Sequence, residues 1–79
     1  MFTEPMVYTL SWQGVRQVTT ESGQYRVEIT WSCATKRYQI RVWRRVQEPE
    51  RLIEVRYAWH ARTAVKTANR LLRKYSEDV

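Results

Sequence analysis

The sequence predicts a small α+β domain: a three- or four-stranded antiparallel meander with one C-terminal amphipathic helix packed on one face. Three observations carry that expectation. Between Tyr25 and Ala58, apolar and polar residues alternate with period two in runs broken by short polar connections. From His60 the apolar residues recur instead at the spacing of a helix. Finally, a chain of 79 residues has room for one core, because its size limits burial to roughly 60% of the unfolded surface. The expected organisation is one domain over 1–79, with a sheet over 25–59, a helix over 60–76, and residues 1–24 as either a first strand or an arm.

Within the first 24 residues, Val7-Tyr8-Thr9-Leu10-Ser11-Trp12 alternates like a strand, Gly14 interrupts it, and Val15 to Thr20 resumes it. A bent first strand is expected, closed by a hairpin turn at Glu21-Ser22-Gly23-Gln24. Next, Tyr25, Val27, Ile29, Trp31 and Cys33 alternate with Arg26, Glu28, Thr30 and Ser32. Ala34 to Arg37 forms a connection to the run in which Tyr38, Ile40 and Val42 oppose Gln39, Arg41, Trp43 and Arg45. A polar turn at Gln47-Glu48-Pro49-Glu50 leads to the third run, Arg51 to Ala58, with Ile53, Val55 and Tyr57 on one side and Leu52, Glu54 and Arg56 on the other. Connections this short join antiparallel neighbours, not parallel ones. In the helix, Ala61, Ala64, Val65, Ala68, Leu71, Leu72 and Tyr75 make one apolar stripe, and Arg62, Lys66, Asn69, Arg70 and Arg73 gather on another side.

The charge is concentrated in the folded body. Fourteen Lys and Arg against eight Asp and Glu give a net +6, yet residues 24–76 alone carry +9. Eleven of the fourteen are Arg, whose planar donor fork suits phosphate, carboxylate and guanine. A GC-rich coding sequence also favours Arg. Such a basic body points to nucleic acid or to an acidic partner.

The apolar sides of the three runs (Tyr25, Val27, Ile29, Trp31, Tyr38, Ile40, Val42, Ile53, Val55, Tyr57) are expected to meet the helix stripe and form the core, with Cys33 facing the same way. The opposite face then carries Arg26, Arg41, Trp43, Arg45 and Arg56 with Gln39, and the chain has no second predicted helix to cover it. One reading is a solvated face on which Glu28 and Glu54 pair with the arginines across strands. The other is a nucleic-acid-binding face. Arg can donate bidentately to guanine and Gln39 can pair with adenine in the major groove, while Lys36, Arg37, Arg44 and Arg51, near strand ends and turns, reach flanking phosphates. On a single strand, Trp43 becomes a stacking platform.

The stretch Tyr25-Arg26-Val27-Glu28 and the Ala-rich C-terminal helix, in a meander-then-helix layout over 25–76, resemble two groups of DNA-binding domains. These are the plant AP2-type domains and the arm-binding domains of some phage and transposon integrases. The resemblance implies that Arg26, Arg41, Trp43, Arg45 and Arg56 enter the major groove. The glycine-containing strand turns of those domains are absent from residues 25–76 of this sequence.

Other function classes find little support. One His and one Cys cannot build a zinc site, no glycine-rich phosphate loop is present, and no nucleophile–base–acid set stands out, so neither a metal, a cofactor nor an enzymatic activity is expected. A lone Cys33 and the absence of a signal-peptide pattern at Met1–Pro5 lead to the expectation of a cytoplasmic protein, and no apolar run is long enough for a membrane helix. A small phage- or mobile-element-type interaction protein is the alternative. It would bind an acidic host protein through the sheet face or the Arg62/Lys66/Arg70/Arg73 stripe, or form a homodimer through the open face or an edge strand.

Overall fold

The computed structural model describes residues 1–46 and 48–76; Gln47 of the expected turn and the acidic Glu77 and Asp78 lie outside the described residues. The elements run α1 (Glu4–Trp12), β1 (Val18–Ser22), β2 (Tyr25–Ser32), β3 (Arg37–Arg44), β4 (Arg51–Ala58) and α2 (Ala61–Ser76). All four strands form one antiparallel sheet in the order β1-β2-β3-β4, and both helices contribute to a single core on one of its faces. Hairpins suffice to connect such a meander. Ser22 pairs with Tyr25, so Gly23 and Gln24 are the whole first loop, and Gly23 takes the left-handed φ of 59° that a two-residue turn demands. The second loop closes with the Lys36 N–H donating to the Ser32 carbonyl at 2.7 Å.

Burial explains why the middle of the sheet is the anchor. Val27 and Ile29 of β2 and Ile40 and Val42 of β3 are completely buried, and α2 covers them with Ala61, Ala64, Ala68 and Leu71. Three alanines on that face let the helix axis approach closely, so the branched sheet residues fill the remaining space. Truncating Ile29 or Ile40 to Ala costs about 2–5 kcal/mol, a large share of a small domain's stability.

The N-terminal segment is a helix where the alternation of Val7 to Trp12 predicts a strand. Val7 and Leu10, three residues apart, are the buried pair, whereas Tyr8 and Trp12, which alternation would place beside Leu10, are exposed. Pro5 in the first turn and Glu4 at the positive end of the dipole favour a helix start. Gly14, at φ 69°, turns the chain out of it. The segment is fastened to α2 by Asn69, whose side chain accepts from the Phe2 N–H at 2.8 Å and donates to the Phe2 carbonyl at 3.0 Å. Asn69 therefore serves this clasp and not the basic outer side, and Phe2 is buried beside it.

The largest departure from expectation is the orientation of β4. Glu54 stands opposite Val42, Arg56 opposite Ile40 and Ala58 opposite Tyr38, so these three lie on the helix side. Val55 and Tyr57 stand opposite Arg41 and Gln39, hence on the open side, and Ile53 is an extra residue at a bulge between the Glu54 and Leu52 pairings. Alternation within one strand leaves undecided which set faces inward; pairing and the helix decide it. Two contacts favour the observed choice. Small Ala58 is buried where α2 begins, and Glu54 is held by α2 itself. Cys33 is likewise exposed and not in the core, because β2 ends at Ser32 and the alternation stops there.

Glu54 links β4 to the last turn of α2. The Tyr75 hydroxyl donates to it at 2.5 Å, Lys74 lies 3.3 Å away and Arg56 2.7 Å away. The Tyr75 bond, with help from Lys74 and Arg56, holds the Glu54 carboxyl below its ordinary value, against the opposing effect of burial. Burial first, and then the bond to Glu54, push the Tyr75 phenol up to about 12. A depressed carboxylate contributes stability above its unfolded value of 4.5, which is lost as pH falls through the folded value. A raised phenol contributes below 10, and that contribution is lost as pH rises towards about 12. Tyr75→Phe is expected to cost about 1–2 kcal/mol at neutral pH and to flatten the stability profile at both ends, as urea titrations below pH 4.5, near neutrality and above pH 10 would show.

Candidate functional site

Strand pairing places Arg26, Glu28 and Thr30 of β2, Gln39, Arg41 and Trp43 of β3, and Val55 and Tyr57 of β4 on one open face, with Thr19 and Glu21 of β1 at its border. Of the residues expected there, Arg26, Gln39, Arg41 and Trp43 come together, and Arg45 projects just beyond the end of β3. Arg56 does not join them: it faces the helix side, opposite Ile40. Lys36 and Arg37 stand at one end of β3 and Arg44, paired with Arg51, at the other. Arg37 and Arg44 are seven residues apart on one strand, about 24 Å. The four expected phosphate contacts thus divide into two separate pairs.

The open face is an ion-pair ladder. Glu28 is 5% exposed, an unusual burial for a carboxylate on a face without a covering helix. It lies 3.7 Å from the Arg41 guanidinium and 4.0 Å from that of Arg26. Arg26 also reaches Glu50 at 2.8 Å, and Arg45 reaches Glu21 at 2.7 Å and Glu50 at 4.0 Å. Three Arg thus meet three Glu, and the charges of this network cancel. Arg41 donates twice to the side-chain Oε1 of Gln39, at 3.1 and 2.8 Å, and the Gln39 Nε2 donates to the Tyr57 hydroxyl at 3.4 Å. Trp43 is half-buried under the Arg26 guanidinium, 5.7 Å from the ring centroid. Its Nε1 and the Arg26 Nε are buried without a protein hydrogen-bond partner among the described residues.

Among the described residues, charge without a partner of opposite sign lies elsewhere. α2 holds Arg62, Lys66, Arg70, Arg73 and Lys74 and no acidic residue. Lys74 pairs with Glu54; the other four are exposed, and among the described residues none has a carboxylate within 4.0 Å. At 100° per residue those four fall within an arc of roughly 80°. A second cluster stands where β3 begins and β4 ends. The Arg37 guanidinium stacks 4.2 Å from the Tyr57 ring and 5.9 Å from that of Trp59, and both rings are more than half exposed. Alternation along β4 places Tyr57 in the core and assigns Trp59 no role. The signal was a Trp at a strand–helix junction with no place in either apolar pattern.

Between β4 and α2 runs a groove bordered by Arg56, Arg70 and Lys74, with Glu54 in its wall. Among the described residues no three metal-ligating side chains lie together, and no helix is long and apolar enough to cross a membrane. Compared with family models, characterised proteins and solved structures, the chain has no match.

The ladder generates a test of its own. Glu28→Ala leaves Arg26 and Arg41 facing each other across a half-buried site. Both guanidiniums are partly exposed and can turn to water, so the expected loss is about 1–2 kcal/mol, less than for a fully buried pair. Denaturant titration measures it, and an unchanged midpoint would show that the ladder contributes nothing.

Proposed function

We propose that this chain is a binding protein, not an enzyme, that holds the phosphate backbone of nucleic acid against the outer face of α2, duplex DNA being the favoured form. One observation carries the reading: the row Arg62, Lys66, Arg70 and Arg73, exposed on one arc of a helix without acids. At 1.5 Å per residue the row is about 16 Å long. A duplex presents one negative charge per ~1.7 Å of axis, so several phosphates lie within that length, and their counterions are released on binding. Three of the four cations are Arg, which grips phosphate with two parallel donors.

The sheet face has a lesser part in this reading. Arg26, Gln39, Arg41 and Arg45 already have partners, so reading base edges with them requires breaking the Glu28, Glu50 and Glu21 pairs first. Affinity then comes from phosphate contacts, which position a duplex without reading its sequence. The same row would also suit an acidic protein surface, which becomes one outcome of the test.

Fluorescence anisotropy of a labelled duplex, titrated with salt, is the measurement. Four phosphate contacts predict a log–log slope of about −3.6. Replacing Lys66 and Arg70 with Ala should remove about two of those contacts and bring the slope to about −1.8, while Arg41→Ala leaves the slope unchanged. Larger losses from Arg41→Ala than from the helix variants would move the contact to the sheet face. A chain that ignores duplex DNA, single strands and RNA at low salt overturns the reading and turns attention to an acidic protein.

A further inference from the structure

We infer that β4 is the contact strand of a homodimer, pairing antiparallel with β4 of a second copy about a two-fold axis at Val55. β4 ends the strand order, so its outer edge has no neighbouring strand among the described residues. It is eight residues long and exposes Leu52, Ile53 and Tyr57. A long apolar edge invites another strand unless something blunts it.

The charges on β4 select which strand that is. Charged residues facing inward on an edge ordinarily repel incoming strands. Arg51 stands at the very start of β4, opposite Arg44; the two charges in the middle of the strand are one of each sign, Glu54 and Arg56, two residues apart on the helix side and joined to each other at 2.7 Å. Directly opposite residues in a sheet must share a face, so a symmetric pairing centres on a single residue. Centred on Glu54, it sets Glu54 against its own copy; centred on Arg56, it sets Arg56 against its own copy. Parallel pairing in register does both. Centred on Val55, it places Glu54 opposite Arg56 of the second copy, and Arg56 opposite Glu54 of the second copy.

The other face agrees with that register. Val55 meets Val55 of the second copy at the axis, and Tyr57 comes against the Leu52–Ile53 bulge of the second copy, a pairing of aromatic with aliphatic side chains. The opposite edge offers no such fit: β1 is five residues long and mostly polar, Val18 to Ser22. The product is a continuous eight-stranded sheet with both α2 helices on one side. This inference stands on β4 alone and is independent of what α2 binds.

The test is the oligomeric state of protein freed of nucleic acid, by light scattering and sedimentation over a range of concentrations. The wild type is expected to be a dimer. Arg56→Glu sets like charges opposite at both positions and should raise the dimer dissociation constant by about tenfold or more. Glu54→Lys should do the same, and an equimolar mixture of the two variants should recover the dimer, because each supplies the sign the other lacks. Circular dichroism checks that both fold. If Glu54→Lys does not, having lost its Tyr75 bond, Val55→Arg supplies a second dissociating variant by placing two like charges at the axis. A monomeric wild type overturns the inference. So does a dimer indifferent to Arg56→Glu, or two folded variants that stay monomeric when mixed.

Discussion

Everything in this fold depends on how α2 lies across β2 and β3. One helix with an alanine-lined face can approach a sheet closely enough to seal Val27, Ile29, Ile40 and Val42 from water. Most of the buried apolar residues among those described belong to that contact. α1 and Phe2 extend the same seal along one flank. The remaining architecture follows: one covered face, one face open to solvent or partners, and a helix whose back is necessarily exposed.

The two exposed surfaces handle charge in opposite ways. On the open sheet face, arginines alternate with glutamates closely enough that Glu28 is nearly enclosed by its partners. On the back of α2 the charges have one sign. Net charge alone therefore locates nothing, since Arg26, Arg41 and Arg45 are offset by Glu21, Glu28 and Glu50. Only the pairing register separates arginines that are structural from those that are available.

Much of the fold was legible because it rests on periodicity. The strands over 25–58, the hairpin at Gly23 and the helix from Ala61 all follow from spacing that a reader can count. Residues 7–12 form a helix against expectation because Val7-Tyr8-Thr9-Leu10-Ser11-Trp12 satisfies the strand pattern as well as the helix pattern, and Pro5 is the better guide. β4 was inverted for a different reason. Ile53, Val55 and Tyr57 are more apolar than Glu54, Arg56 and Ala58, so single-strand logic turns them inward. The deciding facts are long-range ones, a bulge at Ile53 and a tyrosine twenty-one residues later that bonds Glu54. The open face shows the same limit: Arg26, Gln39, Arg41 and Trp43 share one face of the sheet, but their pairing with neighbours cannot be read from one strand at a time.

The ladder on the open face also bears on how the domain responds to heat. Hydration of ions becomes less favourable as temperature rises, so the desolvation that opposes pairs such as Arg26–Glu28 and Arg41–Glu28 diminishes. Hydrophobic stabilisation per unit area plateaus over the same range. A sheet with one face sealed by aliphatic contacts and the other laced by three Arg and three Glu thus has two supports with different temperature dependence. As warming moves the chain toward its melting transition, the charged side carries a growing share of what keeps the strands in register.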